Sequence, residues 1–328
     1  MRLTSDAIMV QQKAKGEALK RFFSNHPYLI SFAVLAVIAT IINPDYLTYT
    51  SLSTLLKQSA IKGVIALGMT LVIISGNIDL SVGAIVALVS GLGVVVFNTT
   101  ESIVVTLLFC SLFGSILGWI NGMFITKGRI AAFIVTLATM SAYRSIIVQI
   151  GQGGPFNVDM NVLSAITTVV NGRTLGVPHL ALIFVFLAVA MHLLMSQTKF
   201  GRYVYAVGSN EEAARLTGIN VHRVKIITFC IIGALSGISA FLLIGRLTSI
   251  TAVNAGIFFE LDAIAAVAIG GAAMSGGRGR IAGTFLGAIM LQMIEGILIA
   301  AAIPPFLNGL VKGIIILLAV LFQNKKSD

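Results

Sequence analysis

Charge is what this 328-residue chain has least of: Asp, Glu, Lys and Arg together make up 10% of it. A soluble domain carries about 25%, so a water-covered globular fold is excluded. Cysteine is nearly absent. Cys110 and Cys230 sit inside apolar runs without metal-like spacing, which excludes a disulfide framework and reads as small core-filling residues. The four histidines, His26, His179, His192 and His222, do not cluster. There is no G-x-x-x-x-G-K-[ST], H-E-x-x-H, paired C-x-x-C or G-x-S-x-G. ATP hydrolysis by the chain itself and the common hydrolytic chemistries therefore have no residue basis, and no metal or cofactor is expected. The first 23 residues are polar and basic (Arg2, Lys13, Lys15, Lys20, Arg21) with no apolar core before a small-residue site. They read as a tail and not as a cleaved signal.

What is abundant is apolar sequence: 57% of the residues are hydrophobic and the mean hydropathy is +0.99. A bilayer core takes roughly 20 apolar residues per helix. The chain therefore reads as an all-α integral membrane protein of about ten spans, expected at 28–42, 60–75, 80–97, 103–125, 130–150, 179–195, 226–244, 261–274, 281–303 and 306–322. This gives one membrane domain over 28–322, flanked by tails 1–27 and 323–328. The net charge of +10 needs no nucleic-acid partner. With the N-terminus inside, the inner segments are 76–79, 126–129, 196–225, 275–280 and the C-terminus, and four of those five carry Lys or Arg. The outer loops hold only Lys57, Arg173 and Arg246, with Lys62 and Lys312 just inside the outer ends of their spans. That is the positive-inside pattern, with both termini cytoplasmic.

Small residues recur at packing distance. Gly114, Gly118 and Gly122, Gly233 and Gly237, and Gly283 and Gly287 have G-x-x-x-G spacing, which lets helix backbones approach closely in lipid. Asp79-Leu80-Ser81-Val82-Gly83-Ala84 opens one span and Glu260-Leu261-Asp262-Ala263-Ile264-Ala265 opens another in the second half. Two halves of five spans would then be inserted in opposite orientation, an inverted repeat.

Three kinds of candidate residue follow. The segment 196–225 contains Ser209-Asn210-Glu211-Glu212-Ala213-Ala214-Arg215-Leu216-Thr217-Gly218. Ser209 or Asn210 can cap a short helix, the two glutamates suit its first turn, and Gly218 can stop it. Such a helix is either a solvated connector or a docking element at the inner face. Arg144, Glu295 and Gln292 lie within spans, where a charge faces the bundle interior or a wet path, unless Arg144 snorkels or Glu295 only bonds between helices. The breaks at 76–83 and 270–279 are capped turns, Asp79 and Ser81 serving as the cap, or irregular backbone lining a path.

At these same residues the chain resembles the permease subunits of bacterial sugar ABC importers, the ribose, xylose and galactoside type. The resemblance lies in Gly68-Met69-Thr70 leading to Ile74-Ser75-Gly76-Asn77-Ile78-Asp79-Leu80-Ser81-Val82-Gly83, in Ala132 to Met140 with Arg144 beyond, and in Phe259 to Val267 through Gly270-Gly271 to Gly279. Phe200-Gly201-Arg202 through Gly218-Ile219 is similar to the family's ATPase-contact loop. The family usually has a second Gly where Asn77 stands. The resemblance covers the chain from about Tyr28 onward. It implies a transport subunit of the bacterial inner membrane, not an enzyme, that carries a monosaccharide with two cytoplasmic ATP-binding subunits, an extracytoplasmic sugar-binding protein and a second permease chain. ATPase coupling would fall to Ser209, Asn210, Glu211, Glu212, Ala213, Arg215, Leu216 and Gly218. The path or gate would include Asp79, Ser81, Gly83, Arg144, Asp262, Gln292 and Glu295. An ion-coupled secondary carrier would need a mid-membrane relay, for which Glu295 is the one strong candidate. A membrane enzyme lacks a catalytic cluster, and a passive channel would not depend on an ATPase.

Overall fold

The computed structural model describes residues 27–301 and scattered residues between 304 and 317. The tails before 27 and over 323–328 lie outside the described residues, and so does most of the expected span 306–322. The described helices are α1 (Pro27–Ile42), α2 (Tyr49–Ile74), α3 (Val82–Thr100), α4 (Ile103–Thr126), α5 (Ala132–Ile150), α6 (Leu163–Asn171), α7 (His179–Gln197), α8 (Lys199–Ser209), α9 (Glu211–Leu216), α10 (Val221–Leu247), α11 (Phe259–Ile269) and α12 (Ile281–Ala300). Seven of them, α2, α3, α4, α5, α7, α10 and α12, are long and apolar enough to cross a membrane. The chain is thus an all-α, multi-pass membrane protein. Its few strands are short caps: β1 (Pro155–Asn157) pairs antiparallel with β4 (Ser249–Thr251), and β2 (Arg173–Thr174) with β3 (Val177–Pro178).

Two expected boundaries are corrected. The second span does not begin at 60. A short 3-10 turn over Pro44–Leu47 is followed directly by α2, whose first turn is capped by the Thr48 hydroxyl accepting from the Ser51 N–H. Lys62 therefore lies at the middle of a 26-residue helix and not near its end. The span expected over 261–274 stops at Ile269, because Gly271 takes φ +84 and turns the backbone out of the helix.

The loops sort to two ends. At one end the Gly277 N–H donates to the Ile74 carbonyl at 2.9 Å, the Tyr205 hydroxyl donates to the Gly279 carbonyl at 2.8 Å, and Asn77, Arg129, Glu211 and His222 line a common cavity. The expected inner segments 76–79, 126–129, 196–225 and 275–280 therefore meet. At the other end β1 meets β4, Asn98 Nδ2 donates to the Asn157 carbonyl, and Asn171 Nδ2 donates to the Gly245 carbonyl. Of the two breaks, 79–81 is mostly buried, with Asp79 and Ser81 fully so.

Two long helices, α2 and α10, form the centre and run in opposite senses between these ends. The peripheral helices α4 and α5 keep most of their surface outward. The glycine spacing on α4 is used: Gly114 and Gly118 sit against the backbone of Gly233 and Phe229 on α10, and Gly237 sits against the Cys110 carbonyl. A Cβ on Gly118 would overlap the Phe229 carbonyl. Backbone cannot yield as a flexible side chain can, and overpacking of this kind costs about 1–3 kcal/mol or more. Gly118→Val is expected to abolish the monodisperse peak of the detergent-solubilised protein on size-exclusion chromatography, whereas Ala142→Val on the exposed face of α5 leaves it intact.

Candidate functional site

The residues singled out from sequence fall into four places. The first is the α8–α9 elbow. Thr198 caps α8 by accepting from the Gly201 N–H at 3.1 Å, and Asn210 Oδ1 caps α9 by accepting from the Ala213 N–H at 2.9 Å. Each such cap contributes about 1 kcal/mol. Gly218, at φ +83, ends the second helix. Gly208 fits against the Ile74 carbonyl with no room for a side chain, and Ser209 lies against Gly277. The elbow is thus inserted where the two helix breaks meet. Burial pushes the Tyr205 hydroxyl's pKa up, so it remains a hydrogen-bond donor to Gly279. Glu211 is tied back to the bundle: its carboxylate lies 2.7 Å from Lys225 on α10 and 3.4 Å from Arg215. Ala214 packs inward, while Glu212, Ala213 and Leu216 face out, Leu216 at 85% exposure.

The second place is the start of α3. Asp79 Oδ1 accepts from the Ser81 N–H at 2.8 Å and from the Ser81 hydroxyl at 2.6 Å, and Asn121 Nδ2 on α4 donates to the Ser81 hydroxyl at 2.8 Å. Ser81 makes no capping bond to the helix it precedes. The expected serine cap is replaced by an Asp79 turn pinned to α4. Tyr143 stands beside it, its hydroxyl donating to the Leu117 carbonyl.

The third place gathers Asp262, Gln292 and Glu295. Lys62 Nζ lies 2.7 Å from Asp262 Oδ2 and 3.1 Å from Glu295 Oε1, and stands over the Phe259 ring. Gln292 Nε2 donates to Gln58 Oε1 at 3.2 Å, one turn along α2 from Lys62. Three helices, α2, α11 and α12, share this cluster around a cavity of about 10 Å³.

The fourth place is open. Arg144 does not snorkel: its Nη1 donates to the carbonyls of Ala252 and Ala255 at 2.9 and 2.5 Å. It lines a cavity of about 440 Å³ with Ser141, Ser145, Phe258 and Glu260. Gly83 lies beside it against the Gly256 carbonyl and the Glu260 carboxylate. The N-terminal ends of α3 and α11 therefore meet back to back in the interior, which is how broken transporter helices present their positive ends to a central site.

The family model for the permease component of branched-chain amino acid transport systems matches residues 51–320. The chain belongs to this permease family. It is 42% identical over 301 residues to the ribose import permease protein RbsC of Bacillus subtilis (strain 168), covering 92% of each chain. It is 35% identical over 308 residues to the ribose import permease protein RbsC of Escherichia coli (strain K12), covering 94% of this chain and 96% of that one. To the L-arabinose transport system permease protein AraH of the same organism it is 34% identical over 306 residues, covering 93% of this chain and 92% of that one. No solved structure matches it. The permease is a transport subunit of an ABC importer, a multi-pass protein of the bacterial cytoplasmic membrane, and its task is to form a translocation path rather than to catalyse a reaction.

Sequence reasoning missed several residues of the permease that the geometry brings in. Lys62 escaped because the start of α2 was placed eleven residues late. Asn121, a polar residue well inside an apolar run, carried the same signal as Glu295 and could have been found by it. Phe258 had no sequence signal, since nothing in the chain announces an aromatic residue at positive φ.

The Lys62 cluster fixes an order of effects. Removing Lys62 takes away the cation that touches both carboxylates, and breaking a buried pair in this way costs about 3–5 kcal/mol. Glu295→Gln keeps the shorter Lys62–Asp262 pair. Thermal unfolding of the detergent-solubilised permease is expected to show a much larger loss for Lys62→Met than for Glu295→Gln, with recovery in the Lys62→Met, Asp262→Asn, Glu295→Gln triple variant.

Proposed function

We propose that the permease forms half of a translocation path for a small neutral sugar of the pentose class, driven by cytoplasmic ATP-binding subunits that engage the α8–α9 elbow. The observation that carries this reading is the wedge of Gly208 and Ser209 between Ile74 and Gly277. A push on α9 acts directly on both helix breaks, so movement of a docked subunit reaches the spans without an intervening flexible loop. Within the elbow the roles divide. Asn210, Arg215, Gly218 and Glu211 hold the short helix in place, while Glu212, Ala213 and Leu216 offer the contact face beside Ser209.

The pentose class rests on the ribose and arabinose carriers named among the relatives. The same relatives support an extracytoplasmic sugar-binding protein as the source of the sugar. A second permease chain is supported by α5. Its outward face carries Ser141, Ser145 and Gln149 at four-residue spacing below Phe133 and Leu137. A polar row is costly against lipid, and it suits a watered path between two copies. Arg144, Gly83 and Glu260 border that path. Asp79 and Ser81 fix the break through α4, and Asp262, Gln292 and Glu295 anchor α11 and α12 to α2.

The finer topology belongs to the same reading: one membrane domain over 28–322 with ten spans, tails 1–27 and 323–328 in the cytoplasm, and a docking segment over 196–225. An inverted five-span repeat is supported by the interior. Helix α10 packs on α3 and α4 as α2 packs on α11 and α12, and α2 and α10 run in opposite senses. The alternative of an ion-coupled carrier would draw on Lys62, Asp262 and Glu295. One ammonium bridges both carboxylates around room for about one water, which supports anchoring instead.

Leu216→Asp is expected to lower sugar uptake about tenfold or more in vesicles containing the assembled importer, with loss of the co-purifying ATPase and an unchanged elution profile of the permease itself. Glu212→Lys should act in the same direction. Normal uptake and normal ATPase recovery in both variants would sink the docking proposal.

A further inference from the structure

The cavity of about 440 Å³ beside Arg144 has features that a passive wall of a path does not need. Phe258, the residue before α11, adopts φ +63 and ψ +10. A bulky side chain in the left-handed region is strained, and glycine or asparagine is the usual occupant. Burial does not offset that strain, because Phe258 is 59% exposed. A strained residue that the core does not hold points to what it faces. Phe258 is on the cavity wall, opposite the serines of α5.

The polar groups around it are few and held in place. Arg144 has five N–H groups, and its Nη1 is bound to two loop carbonyls, so the guanidinium plane is fixed while other donors remain to serve the cavity. Glu260 supplies acceptors from the first turn of α11. Ser141 and Ser145 supply hydroxyls that donate or accept. One cation and one anion leave the lining without net charge. The set matches a ligand that is itself neutral, rich in paired donors and acceptors along one edge, and apolar on one face.

We infer that Phe258, Arg144, Glu260, Ser141 and Ser145 form a sugar station within the permease, where a neutral monosaccharide stacks its C–H face on the Phe258 ring and presents its hydroxyls to the charged pair. The C–H hydrogens carry a small positive charge, and the face of the ring is negative. The serines hold the far edge. The station binds weakly, as a stop on a path must, since tight binding would stall release. This rests on the reading of the chain as a sugar permease and adds that the permease itself recognises the sugar.

The test uses the purified permease in lipid nanodiscs with D-ribose and L-arabinose as probes. A Phe258→Trp variant in a Trp119→Phe background, which removes the chain's one native tryptophan, reports the site. Its emission is expected to change saturably with sugar. In saturation-transfer NMR, Phe258→Tyr keeps the sugar signal and Phe258→Gly weakens binding by about threefold or more. Phe258→Gly also relieves the left-handed strain, so its melting temperature should be equal or higher, which separates lost recognition from lost folding. Absence of any saturable sugar signal, while the assembled importer still takes up ribose, overturns the station and leaves the permease reading standing. Saturable binding that is unaltered in Phe258→Gly also overturns it. Absence of both binding and uptake of either sugar removes the sugar reading and the station with it.

Discussion

Where α4 crosses α10, the Phe229 carbonyl points into the space that a side chain on Gly118 would fill, and the Cys110 carbonyl does the same at Gly237. Lipid tails are as apolar as leucine, so nothing like the hydrophobic effect presses these helices together. Close backbone approach and the dispersion it gains take that role. The other contacts that organise the bundle have the same character. Gly270 and Gly283 join α11 to α12, and Gly83 and Gly256 let two helix starts meet. Add a Cβ at these glycines and the helices cannot reach the separation on which the other contacts depend.

Close packing of this kind fixes where polar groups can go. In lipid a polar group is costly unless it finds a partner within the protein, and the described polar residues find theirs in distinct ways. Asp79, Ser81 and Asn121 form a set of hydrogen bonds that holds irregular backbone in the interior, with Asp79 Oδ2 and Asn121 Oδ1 left outside it. Lys62 bridges Asp262 and Glu295 and so ties three helices together. Arg144 spends one nitrogen on loop carbonyls and keeps the rest beside a cavity. The first two are anchors, and the third sits next to open space, which is why recognition is placed there.

The arrangement also places the elbow in a continuous run of contacts. The elbow between α8 and α9, the end of α2 and the glycines at 276–277 share one contact. From that point α2 leads to the Lys62 cluster and hence to α11. The start of α11 carries both Asp262, which is anchored, and Glu260, which borders the cavity. The elbow and the cavity are therefore joined by a continuous run of helix contacts.

Much of this was legible in the sequence. The apolar runs located the long helices, because the need to satisfy backbone hydrogen bonds in lipid leaves the chain little choice. The positive charges sorted the loops correctly between two ends, and the G-x-x-x-G spacings on α4 and α10 marked a real crossing. The capped α9 helix was readable from Asn210 to Gly218, since capping depends on neighbours in sequence. Three-dimensional contact decided the rest. That Glu295 meets Lys62 depends on where α2 begins, and a polar first turn hides that start from hydropathy. That Asp79 and Ser81 meet Asn121 depends on how α3 packs on α4. That Phe258 stands at positive φ beside Arg144 depends on a loop folding back between two helices. Hydropathy and local caps are properties of adjacent residues and survive in a linear reading, while partners more than a hundred residues apart exist only once the helices have chosen their crossings.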